Sequence, residues 1–293
     1  MNRVLIITSA AYTETELQAE FGRLPPAFLP IGNRRLFVHQ HAAFRDSVSR
    51  VILSLPDSFV PSALDLELLD ELAIEVVHVP EGLSLGQSVV YVINVTATAG
   101  GELAILHGDT LLRDIDLAAT DAVSVGTAPP IYDWGLVRIE GDAVLPAMQA
   151  AVQVEALLAP TSAATTATAI LSGYFVFSQP VHLVQAITRA SGSFLAGLHE
   201  YGRRHTLKPL RAGVWLDFGH ANTYHQSRGR VTTQRAFNDL QATPRLVVKS
   251  AQNSTKIIAE ARWFESLPPP LRAFTPAFLG MRETHNGPGY ALE

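Results

Sequence analysis

The sequence predicts an α/β protein: a mainly parallel sheet flanked by helices, with a small α+β segment at the C-terminal end. Three observations carry this. Short, nearly continuous apolar runs recur at Val4–Thr8, Val51–Leu55, Ile74–Val79 and Leu103–Leu106, as strands buried on both faces require. Helix-spaced segments separate them, so right-handed crossovers would wind helices onto both faces of a parallel sheet. With 293 residues, 47% of them hydrophobic and 17% charged, the chain has enough apolar material for a sizeable core.

The elements follow in order. Val4–Thr8 is the first strand, and the small residues Ser9-Ala10-Ala11 after it let a ligand approach the backbone or simply form a turn. Leu17–Phe21 reads as a short helix. The stretch Gly22–Gly32, punctuated by Pro25, Pro26 and Pro30, cannot be regular helix and reads as a shaped loop leading into a helix over Leu36–Phe44. Val51–Leu55 is the second strand, Leu64–Leu72 a helix and Ile74–Val79 the third strand. Gly82–Ser88 is a glycine- and serine-bearing loop opening a helix whose apolar stretch is Val89–Val95; the unpaired N–H groups of such a start favour an anion.

Leu103–Leu106 then ends in His107-Gly108-Asp109-Thr110. Gly108 permits a tight turn or a close ligand. Asp109 stands at the carboxyl end of a central strand, where open α/β sheets place their ligand crevices. It either holds a divalent cation against a phosphate, or opens a turn or caps a helix. Ala122–Thr127 and Gly135–Ile139 read as strands, and Met148–Ala169 has no clear period and suggests a mobile segment or a helix. Leu171–Phe177 is a strand whose internal Gly173 signals close approach of backbone or ligand. Val181–Ala190 and Phe194–Tyr201 read as helices and Leu207–Pro209 as extended. Gly213–His220 is a strand ending in Asp217, with a helix over Ala221–Ser227. Beyond about Gly229, Leu246–Lys249 is a strand ending in Lys. A helix over Thr255–Leu267, capped by Asn253 or Ser254, carries Ile257, Ile258, Ala261, Phe264 and Leu267 on one face, and Pro268-Pro269-Pro270 ends it.

Composition excludes several functions. The net charge is −5 with no polybasic cluster, which argues against nucleic acid and against anionic membranes. The absence of cysteine removes disulfides, cysteine zinc sites and cysteine nucleophiles. No apolar segment approaches the roughly 18 residues of a spanning helix, and the N-terminus lacks a signal-peptide layout, so a cytoplasmic protein with no membrane insertion is expected. The histidines are scattered without ligand spacing. His220 reads as a helix-start residue or as a neighbour of a metal site. Trp134, in Asp133-Trp134-Gly135, either lines an acceptor pocket or packs beside a turn.

Taken together, the first strand, Leu29-Pro30-Ile31-Gly32 with Arg35-Leu36, Leu85-Gly86-Gln87-Ser88, Gly108-Asp109, Gly173-Tyr174 and Trp215-Leu216-Asp217-Phe218-Gly219 fall in the order seen in sugar-nucleotide pyrophosphorylases. The chain resembles that nucleotidyltransferase family over about residues 1–230, and more narrowly its capsule and surface-polysaccharide variants. The resemblance implies a Rossmann-like domain of the nucleotidyltransferase or GT-A type. The implied reaction joins a nucleoside triphosphate to a sugar phosphate, or another small phosphomonoester, and releases pyrophosphate. It further implies Mg²⁺ (or Mn²⁺) on Asp109 and Asp217, and a nucleotide held by Thr8, Ser9, Ala10, Gly86, Gln87, Ser88 and Gly108. The substrate sugar would lie near Trp134, Gly135, Gly173 and Tyr174. A homo-oligomer is compatible with it.

The pattern departs from the family in three places. The family's later lysine, which grips the sugar phosphate, has no counterpart between Val137 and Ile170, where Arg138 is the only cation. The turn after the first strand, Ser9–Glu16, lacks glycine and carries two acids. The family's lysine before the Leu-Pro segment is matched by Pro25-Pro26, leaving Arg23, Arg34 and Arg35 as nearby cations. A silent nucleotide- or sugar-binding domain, and a GT-A-like glycosyltransferase, therefore stand as alternatives. In residues 231–293, Lys249 with Glu260 resembles the strand lysine and helix glutamate of the small lobe in the kinase and aminoglycoside-phosphotransferase fold, with Tyr290–Glu293 resembling the hinge after it. That resemblance implies a vestigial phosphate site. No catalytic loop of that fold follows in the sequence, so no kinase activity is expected, whether this is a truncated two-domain protein or a structural appendage.

Overall fold

The computed structural model describes residues 3–126, 135–140, 143–146, 166–231, 239–242, 245–251, 254–284 and 287–293. By packing, the chain divides into one unit of Met1–Leu29 with Arg34–His220 and a second of Pro30–Asn33 with Ala221–Glu293.

In chain order the first part of the sequence gives β1 (Arg3–Thr8), α1 (Thr15–Phe21), the two-residue strands β2 (Pro30–Ile31) and β3 (Arg34–Arg35), α2 (Leu36–Phe44), β4 (Arg50–Pro56), α3 (Ala63–Glu71), β5 (Ile74–Val79), α4 (Leu85–Val95), β6 (Glu102–His107), β7 (Thr110–Arg113) and β8 (Ala122–Gly126). Then come β9 (Leu136–Glu140), β10 (Ala143–Pro146), β11 (Thr166–Phe177), α5 (Pro180–Arg189), α6 (Phe194–Gly202), β12 (Lys208–Leu210) and β13 (Val214–Asp217). The expected parallel core is present. Strands β5, β4, β1 and β6 lie side by side in that order, all parallel. The chain thus moves outward from β1 to β5 and then crosses back to place β6 on the other side of β1. The carboxyl ends of β1 and β6 therefore border the switch point, where such sheets hold ligands.

Alternate residues of these strands enter two cores. Ile6, Ile52, Leu103 and Ile105 pack on one face with Val89, Val92 and Ile93 of α4, and Leu5, Ile7, Leu53, Ala104 and Leu106 on the other with Phe37 and Phe44 of α2. Each fully buried aliphatic contributes about 1.5–3 kcal/mol. The strand expected at Leu171–Phe177 is longer, because β11 serves three neighbours, β6, β8 and β9. Its Tyr174–Phe177 half pairs antiparallel with β6, its Thr166–Ile170 half with β9, and the register of its pairing with β8 slips between Leu171 and Phe175. Gly173 occupies that slip with φ of +89°, a conformation that favours glycine. The strand covers the end of Met148–Ala169, read above as helix or mobile segment; residues 147–165 lie outside the described ones.

The helix expected after the Gly82–Ser88 loop begins earlier, at Leu85, so Gly86-Gln87-Ser88 form its first turn. Ser84 is the N-cap, and Ser84 and Gln87 complete a reciprocal capping box. Among the described residues no helix is long and apolar enough to cross a membrane.

The second unit contains α7 (Ala221–Arg230), β14 (Asp239–Ala242), β15 (Val247–Ser250), α8 (Ser254–Ser266), α9 (Pro269–Arg272), β16 (Phe278–Thr284) and β17 (Gly287–Leu292). Its sheet is antiparallel, ordered β14-β15-β17-β16. Ile257 and Ala261 of α8 pack with Ala251 and Tyr290, and Phe264, Phe278 and Leu292 border them. Ile258, assigned above to that apolar face, is exposed instead, because it lies one position round the helix from Ile257. Tyr290–Leu292 lies inside β17, between β15 and β16.

Candidate active site at the carboxyl edge of the sheet

The site is built on the end of β6. The Gly108 N–H donates to the Thr8 carbonyl at 2.8 Å, and a Cβ on Gly108 would stand 2.7 Å from that same oxygen. Glycine is thus required for the turn to press against the end of β1. The Asp109 carbonyl accepts from the Phe218 N–H at 2.8 Å, and β7 pairs antiparallel with β13 so that Thr110 faces Asp217. This register joins two aspartates that lie far apart in sequence. Gly219 marks their meeting point: a Cβ there would lie 2.8 Å from Asp109 Oδ2 and 3.5 Å from Asp217 Oδ1. His220 stands between Asp217 (Nδ1 to Oδ2, 3.7 Å) and Glu14 (Nε2 to Oε1, 3.6 Å).

Two carboxylates facing one open point repel each other, and a hard divalent cation offsets that repulsion. The donor set suits Mg²⁺ or Mn²⁺: oxygen atoms only, from two side chains, with the space between them kept by a glycine. Among the described residues no group of three or more His, Cys, Asp or Glu side chains gathers that could hold a metal.

Beneath Asp109, His107 lies against the rings of Phe175 (5.4 Å) and Phe194 (6.4 Å). Burial pushes its imidazole below the usual histidine range, against the opposing pull of the Asp109 charge. Gln40 of α2 reaches the same turn: its Nε2 donates to the carbonyls of His107 (3.0 Å), Gly108 (3.2 Å) and Thr110 (2.8 Å).

The residues assigned to the nucleotide have the following places. Ser9 is 1% exposed; its N–H donates to Ser54 Oγ at 3.1 Å and its Oγ accepts from the Ala27 N–H at 3.0 Å, tying the turn to the proline-rich loop. Thr8 Oγ1 donates to the Leu106 carbonyl at 3.4 Å, and Ala10 packs against the core. Gly86 faces the α5–α6 turn, where a Cβ would meet the Gly192 carbonyl at 2.4 Å and the Phe194 nitrogen at 2.9 Å. Ser84 Oγ donates to that Gly192 carbonyl at 2.7 Å. Gln87 is exposed and Ser88 buried. Phe194 thus borders both the start of α4 and the His107 ring, linking Gly86 to the end of β6.

Around the expected sugar position, a Cβ on Gly173 would stand 2.7 Å from Thr110 Oγ1 and 3.1 Å from His107 Cβ. Tyr174 is fully buried against Phe44, with its phenol pushed up to about 12 by burial. Gly135 accepts from the Leu171 N–H at 2.8 Å. Trp134 lies outside the described residues.

Two of the three candidate phosphate cations are engaged with acids. Arg23 stacks 3.8 Å over the Tyr12 ring and meets Glu81 at 3.2 Å; Arg35 grips Asp65 at 2.8 and 3.1 Å and the Phe28 carbonyl at 3.1 Å. Burial pushes the Asp65 carboxyl up, but the hydrogen bonds and charge of Arg35 and those of Ser62 outweigh it and hold the group below its usual range. Arg34 is exposed.

In the second unit Lys249 Nζ donates to Glu260 Oε2 at 2.5 Å, and the Tyr290 hydroxyl donates to the same oxygen at 3.0 Å. The two residues singled out in sequence there are in direct contact.

Sequence reading missed Gln40 and the nearness of Glu14 to His220. Gln40 looks like one polar residue on a helix, and its partners lie 67 to 70 residues away.

No protein-family model matches the chain, and no curated protein sequence does. Solved structures do. A UTP-bound UGPase from Acinetobacter baumannii is 15% identical, with 78% of this chain and 92% of that one covered and a TM-score of 0.54. A nucleoside-diphosphate-sugar pyrophosphorylase from Vibrio cholerae RC9 is 14% identical over 76% of this chain and 98% of that one, with a TM-score of 0.56. A UDP-glucose pyrophosphorylase complexed with UDP-glucose is 12% identical over 78% and 98%, with a TM-score of 0.57. The chain therefore has the α/β fold of the sugar-nucleotide pyrophosphorylases, with an additional small antiparallel sheet.

Proposed function

We propose that the protein is a metal-dependent nucleotidyltransferase that joins a nucleoside triphosphate to a sugar phosphate or similar phosphomonoester, releasing pyrophosphate. Capsule or surface-polysaccharide synthesis is the setting implied by the sequence resemblance. The observation that carries this reading is the convergence of Asp109 and Asp217 over Gly219, beside the topological switch point.

In the proposed step an oxygen of the sugar phosphate attacks the α-phosphorus. A new P–O bond forms, the bond to the bridging oxygen breaks, and pyrophosphate leaves with that electron pair. A divalent cation, when bound, neutralises the negative charge that the two substrates bring together. Asp109 and Asp217 would hold it, and Gly219 leaves it room. The capped start of α4, with Phe194, would border the nucleotide, and Gly173 and Gly135 would border the sugar. The measurement is pyrophosphate release with Mg²⁺, each of ATP, GTP, CTP, UTP and dTTP, and a panel of sugar 1-phosphates. Release that requires one triphosphate and one acceptor is expected; silence across the panel would overturn the reading.

A second reading, binding of or glycosyl transfer from a finished NDP-sugar, is favoured by the engagement of Arg23 with Glu81 and of Arg35 with Asp65. It predicts NDP-sugar binding by calorimetry with no pyrophosphate release. For the second unit we propose a vestigial phosphate site at Lys249, supported by its contact with Glu260. ATP binding to the full chain that is weakened by Lys249→Ala but not by Asp109→Asn would bear this out.

A further inference from the structure

Gln40 is fully buried on α2. Its single side-chain nitrogen serves the carbonyls of His107, Gly108 and Thr110, which flank Asp109 on both sides. The one remaining carbonyl of that turn, that of Asp109 itself, accepts from Phe218, the residue after Asp217. The turn is thus gripped by α2 from one side and by the β13 end from the other. Among the described residues the buried Oε1 of Gln40 has no hydrogen-bond partner. Burying an unsatisfied carbonyl carries a cost that a methionine of similar volume would avoid. What the amide supplies against that cost is its donors, on the turn from which Asp109 projects.

We infer that Gln40 is a positioning residue: its amide holds the His107–Thr110 turn so that the Asp109 carboxylate faces that of Asp217. The inference rests on the reading of these aspartates as a cation site. Groups that orient metal ligands typically change metal affinity 10- to 100-fold when removed.

The test is Mn²⁺ binding by the full chain without substrate, followed by electron paramagnetic resonance. Four proteins are compared: wild type, Asp109→Asn, Gln40→Met, and Leu69→Ala as a buried control on α3. Wild type is expected to bind saturably, Asp109→Asn to lose binding, Gln40→Met to bind about tenfold or more weakly, and Leu69→Ala to bind as wild type despite a lower melting temperature. Failure of wild type to bind, or unchanged binding by Asp109→Asn, overturns the cation site and the inference with it. Loss in Asp109→Asn with wild-type affinity in Gln40→Met overturns the inference and leaves the site standing. Equal weakening in Leu69→Ala also overturns it, since general loosening would then explain the effect. Should Gln40→Met not fold, the side-chain NH₂ resonance of Gln40 in the wild type decides. It is expected to shift in step with Mg²⁺ saturation, and an unmoved resonance while Asp109 responds overturns the inference.

Discussion

In the first unit Asp109 and Asp217 bring two like charges to one point, while in the second Glu260 accepts hydrogen bonds from the Lys249 ammonium and the Tyr290 hydroxyl. The residues of both sites are singled out by the sequence, but the first lies at strand ends while the second joins a strand lysine to the middle of α8 and of β17. The second site answers its carboxylate with groups of its own. The first brings two acids together over a glycine, with His220 standing between Asp217 and a third acid, Glu14. Like charges gathered at one point are a better mark of a binding site than a carboxylate matched by one ammonium and one hydroxyl.

The comparison breaks most sharply at Asp109. Asp109→Asn should reduce pyrophosphate release by about a hundredfold to a thousandfold while the melting temperature holds or rises, because a like-charge contact is relieved; activity assay and calorimetry on the same sample check both. Gly219→Ala should come next. Its Cβ would crowd Asp109 Oδ2 at 2.8 Å, and displacement of a ligand on that scale costs about tenfold to a hundredfold in turnover, with Mn²⁺ affinity falling in parallel. In the second unit, Lys249→Met should cost about 1–2 kcal/mol in urea unfolding and leave Mn²⁺ binding untouched. The modest figure reflects the partial exposure of both side chains, 23% and 28%.

The smallest effect concerns pH. Burial pushes the Glu260 carboxyl up, but the hydrogen bonds of Lys249 and Tyr290 and the lysine charge outweigh it, so the group lies below its ordinary value. A carboxylate depressed in the folded state contributes stability that is present above the unfolded value of about 4.3 and is lost as pH falls through the folded one. The stability gap between wild type and Glu260→Gln should therefore be full at pH 7 and close as pH drops below about 4. A gap that persists to low pH would mean that packing, and not charge, holds the site.

Much of the first unit was legible because its strands are written as apolar runs. Asp109 was legible for the same reason: such a run that stops at Gly-Asp announces a strand end. The register that delivers Asp217 to it was not, since β7 is four residues long and reads as part of a turn. Gly86 reads as loop because a glycine before a helix usually is; its reason lies instead in the Gly192 carbonyl, more than a hundred residues away. In the second unit β16 escaped because its side chains follow no clean alternation, with Leu279, Met281, Arg282 and Glu283 all exposed. Local chemistry showed where an element ends, and only the folded chain showed what meets it there.

The bond from Ser84 to Gly192 spans 108 residues, and this bears on how the protein is made. Synthesis runs from the N-terminus, so β1, β4, β5 and β6 leave the ribosome well before the α5–α6 turn exists. Until that turn emerges, the first turn of α4 has its own cap but nothing over Gly86. A nascent chain halted short of Gly192 therefore presents a finished half-sheet with one apolar helix start uncovered, the kind of surface that chaperones bind. Asp217 emerges later still. The Asp109–Asp217 pair is thus among the last features of the first unit to be completed, and its assembly reports that the rest of that unit has been made.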